Sequence, residues 1–277
     1  MGRPWLAAVL ASGLPRLPQG VIVPLQLREY CTSGERMAWA KANGCRWEGV
    51  WEEGEIVLGS HNCCALAAKG GHLEALQWAR AHGCPWDDAT CAYAAGGGHL
   101  EVLQWAREHG CPWESTTCMC AAQDGHLEVL QWAREQGCPW DAQETIYFAV
   151  KIGHLEMVRW ARQLGGQCDA ATCSYAAGDG QLEMLKWLRE HGCPWDKETC
   201  LQAARGGHLD VLKWAREYDC PWDSEVCTEA ARRGYREVLK WAREQGCPCD
   251  AIATRREAFE GAREQARMWM YEEGLFA

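Results

Sequence analysis

Cysteine and histidine recur together along this chain, and those residue types can bind metal or act as nucleophiles, with disulfides open to cysteine. Of 277 residues, 18 are Cys and 9 are His. A zinc centre favours close pairs such as CxxC, which present two thiolates to one ion. No CxxC pair occurs, and Cys84 and Cys91 stand seven residues apart. His72, His99, His126, His154 and His208 share an equivalent place, but two further copies of it hold Gln181 and Tyr235. A ligand replaced by Tyr leaves a site incomplete, so no metal and no other cofactor is expected. Nucleophilic catalysis needs one activated Cys–His pair in an asymmetric cleft, whereas these surroundings are repeated many times over. HExxH, GxSxG and Walker patterns are absent. Gly96-Gly97-Gly98 could cradle a phosphate, but its counterparts Gln123-Asp124-Gly125 and Gly178-Asp179-Gly180 carry acids that would repel one. A non-catalytic protein is expected.

The elements that position these residues repeat. From Gly71 the chain reads GHLEALQWARAHGCPWDDATCAYAAGG, and the frame restarts at Gly98, Gly125, Gly153, Gly180, Gly207, Gly234 and, in decayed form, Gly261. The period is 27 residues, with one interval of 28. The extra residue near Gln143–Thr145 is expected to bulge the start of a helix. Such regularity implies stacked identical units rather than one globular core. Each unit reads as two short helices. Leu73, Leu76, Trp78 and Ala79 share one face of the first, and Gly83 with Pro85 stops it. Asp87 is placed to cap the next helix, which carries Cys91, Ala94 and Ala95. The repeat also accounts for 17 Trp against 3 Phe, with two Trp per unit assigned to the core. Cys takes small buried positions as a free thiol, in keeping with a reducing compartment.

The run Ala94-Ala95-Gly96-Gly97-Gly98-His99-Leu100-Glu101-Val102-Leu103-Gln104-Trp105, continued to Gly110-Cys111, resembles the second half of an ankyrin repeat. Trp105 stands where that family has a core Leu, and Cys111 where it has a buried Ala. Cys91 takes the Leu position of the TPLHxAA signature, whose Pro and His are missing. The unit is six residues shorter than the family's 33, and the shortfall lies where ankyrin repeats project a β-hairpin finger. The resemblance implies an all-α fold: an α-solenoid of stacked helix–turn–helix ankyrin-like repeats without the long fingers. It also implies a protein–protein interaction scaffold. The array spans 32–277, with a degenerate first unit at 32–70, regular units at 71–260 and a decayed capping unit at 261–277. Residues 1–31 form a tail or cap.

Comparing units shows which positions drift. Ala92-Tyr93 becomes Met119-Cys120, Tyr147-Phe148, Ser174-Tyr175, Leu201-Gln202 and Thr228-Glu229. After the Ala pair, Gly96-Gly97 becomes Lys151-Ile152, Arg205-Gly206 and Arg232-Arg233. Tyr93, Met119, Phe148, Tyr175, Leu201, Arg205, Arg232, Arg233 and Arg236 are therefore the candidate partner-binding residues, since Tyr, Met and Arg suit interface anchors. Neutral drift on a solvated helix face would produce the same variation. The partner is a protein of unknown identity. Lys+Arg 28 against Asp+Glu 38 gives a net charge of −10, which argues against nucleic acid or an anionic membrane. No apolar run reaches the roughly 18 residues of a membrane span. A cytoplasmic monomer is expected; Trp5–Ala11 after Arg3 resembles a weak secretion signal and keeps export as a second reading. Two other functions stay open, a metal- or redox-responsive cysteine ladder and a substrate adaptor for a ubiquitin ligase.

Overall fold

The computed structural model describes residues 32–35, 38 and 63–249. The tail at 1–31, the stretch Glu48–Ser60, most of the first unit and the capping unit lie outside the described residues. Between 63 and 249 the chain forms fourteen α-helices and no strand. They belong to two compact units that divide after Asp141. The first holds α1 (Cys63–Lys69), α2 (Leu73–Ala81), α3 (Asp88–Gly96), α4 (Leu100–Glu108), α5 (Ser115–Gln123) and α6 (Leu127–Glu135). The second holds α7 (Ala142–Lys151), α8 (Leu155–Gln163), α9 (Ala170–Gly178), α10 (Leu182–Glu190), α11 (Lys197–Gly206), α12 (Leu209–Glu217), α13 (Ser224–Arg233) and α14 (Arg236–Glu244).

Within each unit the odd-numbered helices stack on one another, and each packs against the even-numbered helix that follows it. Small side chains make that stacking possible. Ala94 and Ala95 in α3, and Ala203 and Ala204 in α11, are fully buried, which lets helix backbones approach closely. The even-numbered helices supply bulk: α4 buries Val102, Leu103 and Ala106, and α10 buries Met184, Leu185 and Leu188. The extra residue at 143–145 does not bulge α7. It is absorbed as a tenth residue of a continuous helix.

Each even-numbered helix ends in the same backbone device. After α2, Gly83 takes φ +80°, its N–H donates to the Arg80 carbonyl, and Cys84 N–H reaches back to the Ala79 carbonyl at 2.9 Å. These two bonds satisfy carbonyls that a helix end leaves open, and they turn the Cys84 side chain inward. Only one such position lacks glycine: Asp219 holds φ +60°. The chain then enters α3 from Asp87 with no finger between. Asp169, Asp196 and Asp223 cap α9, α11 and α13 by accepting N–H bonds from Thr172, Glu198 and Glu225.

The tryptophans were expected in the core, and there the expectation fails. Every described Trp is half-buried. Ala75, Leu76 and Ala79 fill the inward face of α2, leaving Trp78 at its edge. At that edge the indoles form a surface ladder with arginine. Trp86 meets Trp105 edge-on at 5.9 Å, and Trp195 meets Trp214 at 5.7 Å. Arg80 lies 4.0 Å over the Trp86 ring while its Nη1 donates to the Cys84 carbonyl at 2.6 Å. Arg189 does the same with Trp195 and the Cys193 carbonyl. Guanidinium stacking and edge-on indoles thus brace the short turn that stands where a finger would be.

Candidate functional site

Two sets of repeated side chains were candidates for chemistry, and the fold gives both structural work. His99 Nε2 donates to the Lys69 carbonyl at 3.1 Å, thirty residues back, so it ties neighbouring repeats together. Its ring covers Gly71, and His126 covers Gly98 in the same way. Burial, then the neighbouring His99, holds the His72 pKa below its ordinary value. The thiols behave similarly. Cys111 Sγ donates to the Asp87 carbonyl at 3.3 Å, Cys138 to Glu114 at 3.3 Å and Cys220 to Asp196 at 3.4 Å, each 24 residues earlier. Cys64 Sγ points at the Cys84 carbonyl and Cys200 Sγ at that of Cys220. Among the described residues no three His, Cys, Asp or Glu side chains gather as a metal site. One expectation about the thiols is overturned: Cys168 and Cys193 form a disulfide, with Cα atoms 5.5 Å apart.

The drifting positions fall on the odd-numbered helices. In the first unit Tyr93 and Met119 are half-buried, and the Lys69 ammonium lies 5.4 Å from the Tyr93 ring. In the second, Tyr175 is 47 % exposed on α9 and meets the Tyr147 ring of α7 at 5.4 Å, edge-on. Phe148 meets the Tyr147 ring edge-on at 5.3 Å and is itself half-buried. Tyr147, which is 41 % exposed, belongs to this patch but was not among the candidates; nor was Ile152, which is also exposed. Tyr147 and Phe148 form one drifting pair, and in α7 the first of the two is the exposed one. Leu201 is only 3 % exposed and packs inside α11, so Gln202 holds the surface position there.

Along α11 and α13 the patch gives way to arginines gathered on one carboxylate. Glu229 accepts from Arg232 Nη2 at 2.6 Å, with Arg205 Nε at 3.4 Å and Arg233 Nε at 3.6 Å. Burial alone would raise the Glu229 pKa, but Arg232 and Arg205 outweigh it and hold the carboxyl below its usual range. Arg205 also reaches Glu198 at 3.5 Å. The three arginines were expected at a partner surface, whereas Glu229, which holds their guanidinium groups in place, was not among the candidates. Arg236 opens α14 and is exposed.

No helix among the described residues is long and apolar enough to cross a membrane. A family model described as ankyrin repeats in many copies matches residues 118–162. Among solved structures, the human ASB11 ankyrin repeat domain is similar, with a TM-score of 0.50 and 21 % identity over 57 % of this chain and 84 % of that one. A search of curated proteins returned no match. With paired helices repeating every 27 residues, glycine-closed turns and no strand among the described residues, the chain is an ankyrin-repeat-like protein of the all-α solenoid class.

Proposed function

We propose that this chain is a non-catalytic protein-interaction scaffold that docks a partner along the surface row of its odd-numbered helices. One observation carries the reading: Tyr147 and Tyr175 stand 41 % and 47 % exposed in mutual ring contact, on helices whose other faces are buried, by Ile146, Ala149 and Val150 in α7 and by Cys173, Ala176 and Ala177 in α9. Exposed aromatic rings held rigidly in place are the kind of side chain that anchors interfaces. The ordered Arg205–Glu229–Arg232–Arg233 cluster supplies directional donors on the same helix series. In this reading the protein works as a cytoplasmic monomer, without cofactor, nucleic acid or membrane.

The test pairs a Tyr147→Ala, Tyr175→Ala double variant with a control, Glu183→Ala, on the exposed side of α10. Both should keep wild-type helicity and thermal midpoint. Affinity purification from the source cells, quantified by mass spectrometry, should recover wild-type partners with the control and lose them with the double variant. Equal recovery by both variants removes the assignment.

A further inference from the structure

In five repeats the short turn carries Trp after its proline: Trp86, Trp113, Trp140, Trp195 and Trp222. The turn before α9 carries Cys168 there instead. That position faces a sulfur. In other repeats the buried cysteine of the following turn, such as Cys111 or Cys220, directs Sγ to the carbonyl of the residue right after the Trp. The corresponding cysteine for the α9 turn is Cys193, fully buried, and Cys168 is bonded to it. A Cα separation of 5.5 Å is within the ordinary range for a disulfide, so the repeat geometry itself brings the two together. Cys249 holds the same turn position in the last described turn, where its thiol lies beside that of Cys227.

We propose that Cys168 and Cys193 form a reversible thiol-modification site, closed by a small disulfide such as glutathione disulfide and opened by a dithiol. Half-exposed Cys168 is the entry sulfur, and buried Cys193 is the resolving one. The Cys168 thiolate attacks glutathione disulfide, forming a mixed disulfide and releasing one glutathione thiolate. The Cys193 thiolate then attacks the Cys168 sulfur and expels the second. The two protein thiols lose two electrons and two protons in total, and one glutathione disulfide becomes two glutathione thiols. Cys173 stands 20 residues from Cys193, the spacing at which Cys200 meets Cys220. Burial pushes the Cys173 thiol up to about 12, so almost no thiolate is present to compete.

The loop closed by the bond contains all of α9 and α10 and nothing else helical. Oxidation therefore fastens the entry of one helix pair to its exit. The site stands whether or not the tyrosine row binds a partner, and its test does not depend on that reading.

The test treats the full chain with glutathione disulfide at pH 8, blocks remaining thiols with iodoacetamide and maps unreduced peptides by mass spectrometry. A Cys168–Cys193 cross-linked peptide is expected. Dithiothreitol should lower the thermal midpoint by at least about 4 °C, in line with opening a loop of this size. That shift should vanish in Cys168→Ser and in Cys168→Trp, which restores the residue of the other turns and leaves buried Cys193 untouched. The proposal is overturned if both cysteines come out alkylated, if glutathione stays on Cys168, or if dithiothreitol shifts Cys168→Trp as much as wild type.

Discussion

Ile146 and Gly166 are complementary: a Cβ placed on Gly166 would come within 2.6 Å of Ile146 Cδ1. The equivalent positions in neighbouring repeats hold two cysteines, such as Cys91 with Cys111 and Cys200 with Cys220. One large and one absent side chain replace two medium ones at nearly constant volume. Gly166→Cys alone should cost about 1–3 kcal/mol through overpacking. Adding Ile146→Cys should return a substantial part, with a coupling of about 1 kcal/mol or more by urea denaturation. Additive losses would show that the two positions do not share space.

The half-buried state of the tryptophans orders the costs of truncation. Leu130→Ala removes a fully buried side chain and should cost about 2–5 kcal/mol. Trp132 loses mainly an edge-on contact with Trp113 at 5.9 Å, so Trp132→Ala should cost less despite the larger side chain. Denaturation midpoints of the two variants compare them directly. A larger loss at Trp132 would place the indole in the core after all.

Asp219 occupies a left-handed conformation that glycine fills in every other described turn of its kind. Asp219→Gly should therefore raise stability by about 0.5–1 kcal/mol, because glycine has no Cβ to crowd the backbone. A lower thermal midpoint for this variant would mean that the Asp219 side chain contributes more than the conformation costs.

Stability should fall in mildly acid solution. His72 is held below its ordinary pKa by burial and by His99, so the unfolded chain takes up the proton more readily. The contribution is complete above about pH 6.5 and is lost as pH falls through and below that value. Asp169 and Asp223 are also depressed, but as carboxylates their contribution fades only in more acid solution, below about pH 4. His72→Gln installs the residue type found at Gln181 and should flatten part of the slope between pH 7.5 and 5.5. Identical urea midpoint shifts in wild type and variant would exclude His72 as a source.

The repeat frame was legible because a glycine at each turn and an alanine pair on every odd-numbered helix but α7 leave a mark at fixed spacing. What a linear period does not encode is angular position. Trp78 and Ala79 are adjacent in the chain, and only packing reveals that Ala79 points inward while Trp78 lies at the rim. The same uncertainty placed Leu201 on the surface in place of Gln202, and Phe148 ahead of Tyr147. The disulfide was hidden for a different reason. Cys168 aligns with tryptophans rather than with the buried cysteines, so counting sulfur slots repeat by repeat passes over it. Glu229 escaped notice because its value lies in three guanidinium groups from two helices, a convergence that no single repeat contains.

The thiol-to-carbonyl bond from Cys111 to Asp87 spans 24 residues and reaches no farther than the preceding repeat. A link of that kind is blind to ancestry. If Gly98–Asp124 were excised, Gly125 would follow Gly97 in frame, and Cys138 would stand 24 residues from Asp87, with the same donor facing the same acceptor. Copy number can then change by whole periods without a new interface having to arise, since each joint built with this bond accepts the same neighbour. At Cys168 that interchangeability ends for a second reason, because the repeat that carries it is joined to its successor by a covalent bond.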